Sequence, residues 1–195
     1  MKKFVFKYIV PALLLFGFVA CDETEEVQEF GNWKSRNIAY IDSIAKVART
    51  NADGDWKVFL AYGLNSEAEY GNEYYVYCNV LSEGNGTVNP VYSDTVECNY
   101  RGRLIPTHSY KDGYIFDETF TGELDPEVDV PLKLTLAGCV RGWITAMMEM
   151  VEGDVWRIYV PSELGYNTEV VNSIPAYSTL VFDINLVDIY SIGDR

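Results

Sequence analysis

The spacing of apolar positions along this chain changes from helical to strand-like and briefly back again. Trp33, Tyr40, Ile41, Ile44, Val47 and Ala48 recur at intervals that place them on one helical face. This predicts a helix capped by Asn32 and running to about Thr50, ended by the turn residues Asn51-Ala52-Asp53-Gly54. Beyond it the period shortens, and strands are predicted over Trp56–Tyr62, Tyr74–Leu81, Thr95–Leu104, Tyr114–Asp117, Val130–Leu136, Val155–Val160 and Thr179–Ile189. Ser82 to Gly86 and Lys111-Asp112-Gly113 read as turns, and Leu164 to Ile174 as a loop. In Thr95–Leu104 the alternation puts Val96, Cys98 and Tyr100 on one face. Helical spacing returns once more, at Trp143, Ala146, Met147 and Met150. Gly142 precedes it, where a Cβ would crowd the turn. Fully burying Trp143 would remove about 150–250 Å² from water, worth roughly 4–6 kcal/mol. The expected architecture is α+β, an antiparallel sheet with one short helix laid across it and an extra helix at the N-terminal end. That extra helix could pair with a second copy, but packing on its own domain is the expectation.

The first residues read as a targeting signal. Lys2, Lys3 and Lys7 flank an apolar run from Ile9 to Ala20 that is short for a membrane span, and Cys21 follows the small Ala20. The cysteine is positioned as in the lipobox of bacterial lipoproteins, which implies lipidation at Cys21. Asp22-Glu23-Thr24-Glu25-Glu26 comes next, and it resembles the export tags of surface lipoproteins in the Bacteroidetes. The expected layout is a signal at 1–20, an acidic tether at 21–31, an N-terminal helical extension at 32–70 and the main domain at 71–195. The expected location is the cell envelope, lipid-anchored at the outer membrane on its periplasmic or surface face. A cleaved secretory signal, with Cys21 discarded, is the competing reading.

The 195 residues carry a formal net charge of −14, which becomes −17 once the three leader lysines are removed. Such an acidic domain is a poor partner for nucleic acid, whose phosphates demand clustered cations. Cys78 and Cys98 sit in neighbouring strand-like stretches of the sequence. An exported chain could join them as a disulfide or bury them as free thiols. No Cys-x-x-Cys is present and His108 is the only histidine, so neither a metal site nor a redox dithiol is expected.

Eight motifs give the sheet-and-helix reading a chemistry. They are Glu83-Gly84-Asn85-Gly86, Tyr100-Arg101-Gly102-Arg103-Leu104, Asp112-Gly113 before Phe116-Asp117, and Val140-Arg141-Gly142-Trp143. Met150 with Gly153, Val160-Pro161-Ser162-Glu163-Leu164-Gly165-Tyr166, Ile174-Pro175 and Ser178-Thr179-Leu180-Val181-Phe182-Asp183 complete the series. In this order and spacing, residues from about Tyr74 onward resemble the FKBP-type peptidyl-prolyl cis-trans isomerases. The resemblance implies a sheet wrapped around a short helix with an aromatic pocket between them. Trp143 would be its floor, Tyr100, Phe116 and Phe182 its walls, and Val140 and Ile174 its rim. Leu132 falls about where many members carry another pocket aromatic. Asp117 would be a carboxylate at the buried edge, and the Tyr166 hydroxyl would reach a substrate carbonyl.

Rotation about an X–Pro bond faces about 18–20 kcal/mol because amide resonance stiffens the C–N bond. It breaks no covalent bond, so the implied function needs no nucleophile, metal or cofactor. Its substrates would be proline-containing segments of exported proteins. Asn167 replaces the family's usual glycine after Tyr166, Gly138-Cys139 shortens the approach to Val140, and Ile105–Tyr110 is an insertion that could lean over the pocket or stay clear. A non-catalytic peptide-binding or chaperone lipoprotein of the same fold is the alternative. A third is a surface protein binding glycan or host protein through the tyrosines of Tyr70–Tyr77, against which stands their simple packing in the sheet.

Overall fold

The computed structural model describes residues 28–51, 54–125 and 128–191. The leader, Cys21 and most of the tether lie outside them. Helix α1 spans Trp33–Thr50 and α2 spans Arg141–Met147. The strands are β1 (Trp56–Leu60), β2 (Tyr75–Ser82), β3 (Thr95–Arg103), β4 (Ile115–Glu118), β5 (Leu132–Thr135), β6 (Val155–Val160) and β7 (Leu180–Tyr190). All the described strands join one antiparallel sheet in the order β1-β2-β6-β7-β3-β4, with β5 also on β3. The outer edge of β3 is therefore shared: β5 pairs Thr95–Cys98 and β4 pairs Arg101–Arg103. Between them Thr119 bridges the gap, its hydroxyl accepting from the Tyr100 N–H at 3.0 Å while its own N–H donates to the Tyr100 carbonyl at 3.0 Å.

Two-residue alternation sends side chains of the central strands to two different cores. Val76, Cys78, Ile158, Val160, Phe182, Ile184, Val96, Cys98 and Tyr100 face α2 and pack around Ala146, Met147 and Met150. Tyr77, Tyr159 and Val181 face the other way, against Ile41, Ala45 and Ala48 of α1. Helix α1 thus packs on its own domain and covers the sheet face opposite α2. Strand β1 pairs with β2, so the sheet begins at Trp56, inside the stretch assigned from sequence to a helical extension.

Two details of α1 depart from the sequence reading. Asn32 occupies the cap position in a left-handed conformation (φ 51°) and makes no side-chain cap bond. Val47, expected in the apolar stripe, is exposed, while the polar Asn37 is buried in it. At α2 the expected crowding is present: a Cβ on Gly142 would stand 2.3 Å from a methyl of Val160.

Cys78 and Cys98 are free and buried. Strands β6 and β7 lie between their strands, so about three strand spacings of 4.7–4.9 Å separate them, well beyond disulfide reach. Tyr75 and Tyr77 lie against the α1 core, and Tyr70 pairs with Tyr74 at 5.6 Å, so packing accounts for this tyrosine-rich stretch.

Burial between α1 and the sheet pushes the phenols of Tyr40 and Tyr77 from 10.0 up to about 12. The unfolded chain ionises them first. Their contribution to stability is complete below pH 10 and is lost as pH rises through about 12. Urea midpoints are expected to fall as pH climbs past 10, and Tyr40→Phe to flatten part of that fall.

Candidate active site

A cavity of about 240 Å³ opens where β3, β4, β5, β7 and α2 meet, lined by Tyr100, Phe116, Asp117, Leu134, Gly138, Cys139, Val140, Trp143, Tyr166 and Phe182. Its floor is set by ring geometry. Trp143 is buried and meets Tyr100 edge-on (centroids 5.2 Å, 85°) and Phe182 edge-on (5.4 Å, 81°). Phe116 closes against Phe182 at 5.5 Å and 89°. Edge-to-face contacts of this kind add about 0.5–1.5 kcal/mol each beyond burial, so the rings are fixed against one another.

Close approach of two of these rings depends on Gly102, which the register places opposite Asp117 on β4 and Phe182 on β7. A Cβ there would stand 2.6 Å from the Phe116 ring and 2.8 Å from the Phe182 ring. The polar side is built by β3 and β4. The Tyr100 hydroxyl donates to Asp117 Oδ2 at 2.5 Å. Burial first, and then that carboxylate, push the Tyr100 phenol well above its ordinary value. Tyr166 follows the turn after β6, half-buried, and its hydroxyl has no hydrogen-bond partner among the described residues. Burial and the Asp117 charge raise its pKa too, so it remains a neutral donor.

The structure brings together Trp143, Tyr100, Phe116, Phe182, Val140, Tyr166 and Asp117 from the sequence-derived set. Asp117 is exposed at the cavity margin instead of sitting at a buried edge. Leu132 and Ile174 are not brought to the wall. Leu132 opens β5 and is 43% exposed, while Leu134 fills the place expected for it. Ile174 is buried in the core beneath the loop. Alternation could not choose between Leu132 and Leu134, because residues two apart point the same way.

The insertion stays clear of the cavity. Ile105 is buried, the Pro106 carbonyl accepts from Arg36 at 3.2 Å, and the Ser109 N–H donates to Glu29 at 2.7 Å. Asn167 takes the left-handed conformation that a glycine would (φ 52°), one of the few side chains that does so readily. A larger groove of about 340 Å³ lies between α1 and the domain, bordered by Lys34, Asp42, Glu73 and Glu163, without converging rings. No metal-binding cluster occurs among the described residues.

Residues 86–187 match the family model of the FKBP-type peptidyl-prolyl cis-trans isomerases, just over half of the chain. The chain belongs to this family. Among curated relatives of this FKBP-family chain, it is 38% identical to the FKBP-type isomerase FkpA of Escherichia coli over 56% of its length, covering 36% of that protein. It is 35% identical to the FKBP-type 22 kDa isomerase of E. coli over 56% of its length, covering 48% of it. Residues of this family member thus span about a third to a half of those relatives. Among solved structures, it is similar to a peptidyl-prolyl isomerase of Pseudomonas syringae (TM-score 0.56, 25% identity), covering 81% of this chain and 96% of that one. It is also similar to FkpA of E. coli (TM-score 0.57, 29% identity), covering 83% and 62%.

Gly102→Ala is expected to force Phe116 and Phe182 apart and to destabilise the domain by about 1–3 kcal/mol, as overpacking does. Urea denaturation followed by tryptophan fluorescence measures it, and an unchanged midpoint would show that the rings tolerate a methyl between them.

Proposed function

We propose that the protein is a peptidyl-prolyl cis-trans isomerase that assists the folding of exported proteins. The observation that carries this reading is the Trp143 floor wedged edge-on between Tyr100 and Phe182 in an open cavity, beside the unpartnered hydroxyl of Tyr166. Family membership supports it independently.

Amide resonance separates charge between oxygen and nitrogen, and water stabilises that separation. A prolyl ring resting on Trp143 would carry its amide out of water into an apolar wall, weakening the resonance and lowering the cost of the twisted state. Uncatalysed exchange takes roughly 10–100 s, and a million-fold gain would require about 8 kcal/mol from the site. Tyr166, kept neutral by burial, would donate to the carbonyl on one side of the bond while the other side rotates. Asp117 would act through Tyr100, whose hydroxyl it holds at 2.5 Å, and through its charge at the margin, without carrying a proton.

The leader supports an exported, lipid-anchored form. Lys2, Lys3 and Lys7, the apolar run and Cys21 fit a lipoprotein signal, and the acidic tract fits a tether to the outer membrane. One relative, of Legionella longbeachae, is named an outer membrane protein. Among the described residues no helix is long and apolar enough to cross a membrane. On this reading the anchor is Cys21, with residues 1–20 removed and the domain, whose sheet begins at Trp56, carried on the tether. The rival reading, a module that holds peptides without isomerising them, is supported by the aliphatic Leu134 in the wall.

Exchange of a proline-containing tetrapeptide separates the two readings. The protein is expected to accelerate it, Tyr166→Phe to lower kcat/KM about tenfold as the loss of one hydrogen bond would, and Trp143→Ala to lower it further. Folded protein exchanging no faster than buffer would sink the catalytic reading. Cys21→Ala is expected to move the protein from the membrane pellet to the soluble fraction, and incorporation of labelled fatty acid should stop.

A further inference from the structure

Helix α1 reaches the segment that leads from Tyr166 into β7, and the contacts are specific. Residues 166–177 form a flap closed at its base, where the Tyr177 N–H donates to the Asn167 carbonyl at 2.6 Å. Inside it, Val171 and Ile174 exchange backbone bonds of 3.1 and 2.8 Å. Both base residues are non-glycine at positive φ, 52° for Asn167 and 63° for Tyr177. A bulky side chain rarely adopts that conformation, and it persists where its surroundings over-determine it.

For Tyr177 the surroundings belong to α1, while Asn167 is also held by the turn after β6, its N–H donating to the Ser162 carbonyl at 2.8 Å. The Lys34 ammonium stands 4.2 Å over the Tyr177 ring. Trp33 Nε1 donates to Ser178 Oγ at 2.8 Å, and that hydroxyl donates to the Pro175 carbonyl at 2.6 Å. Asn37 Oδ1 accepts the Thr179 N–H at 2.7 Å, while its amide donates to the Trp33 carbonyl at 2.7 Å. Trp33, Asn37, Ser178 and Thr179 are all less than a tenth exposed. Burial strengthens each of these bonds and makes the loss of a partner costly.

We infer that α1 is a positioning element for the isomerase site: Lys34, Trp33 and Asn37 clasp the base of the flap and thereby fix where Tyr166 stands. Three successive flap-base residues, Tyr177, Ser178 and Thr179, are each held by a different α1 side chain, while Asn167, tied to Tyr177, adjoins Tyr166. None of the three α1 residues lines the cavity, so none is catalytic. The inference rests on the catalytic reading above for its kinetic consequence, but not for its structural one.

Amide hydrogen exchange and steady-state kinetics on the full chain test it together. In Asn37→Ala, amides of residues 166–179 are expected to exchange about three- to tenfold faster, the worth of one buried hydrogen bond, with β3 and the middle of β7 unchanged. KM for the tetrapeptide is expected to rise by a similar factor, with a smaller change in kcat. Lys34→Met, at the surface and safe for folding, should give about two- to fivefold, and Lys34→Arg should restore the original behaviour. Unchanged flap exchange in both folded variants would overturn the clasp. Acceleration spread evenly over the sheet would overturn it too, because α1 would then be packing alone. If the parent chain shows no exchange activity, the catalytic reading fails, and the amide data still decide the clasp.

Discussion

Everything at the site depends on one constraint: β3 and β7 must approach closely enough for Tyr100 and Phe182 to grip the Trp143 indole from two sides. Nine residue pairs along β3 and β7 set that approach. Gly102 serves the neighbouring ring pair, because a Cβ there would stand between Phe116 and Phe182. On the far face of β7, Asp183 draws Arg103 of β3 and Arg157 of β6 onto one carboxylate. Successive residues of one strand thus do opposite jobs. Phe182 completes an apolar wall, and Asp183 ties three strands together behind it.

Where α1 lies across it, the sheet is buried on both sides, and this separates its centre from a one-sided antiparallel sheet with a wet outer face. In β2, Tyr77 and Cys78 are adjacent, point in opposite directions and are both fully buried. Ile158 and Tyr159 of β6 repeat the pattern, at 0% and 8% exposed. Covering the second face gives α1 a place against its own domain, and brings its first turn to the flap.

Much of this was legible in the sequence because the signals were periodic. Strand β6 was bounded as observed, and the others within two residues, since alternation ends where turn residues begin. The cavity rings were legible only through ordered motifs. Nothing local marks Tyr100 or Phe182 as wall instead of core. Other features were hidden for physical reasons. Asn37 looks like a surface residue until a partner 142 positions away supplies its hydrogen bond. Leu132 and Leu134 are equivalent to a two-residue period, and the difference lies in where β5 starts. The separation of Cys78 from Cys98 follows from strand order, which pairing patterns along the chain do not encode. The dense run Tyr74–Leu81 did hold one further clue: a strand with few polar breaks has two faces to cover.

The division of β3's outer edge between two partners bears on how the sheet meets other chains. Strands β4 and β5 are four residues each, and β1 at the opposite border has five. A long bare border would offer its free amides and carbonyls as a template on which a neighbouring unfolded chain could lay down a strand. Here each border is short, and one is interrupted at Thr119, whose hydroxyl and N–H take up the two backbone bonding groups of Tyr100. Short and divided borders deny intruding chains a continuous rail.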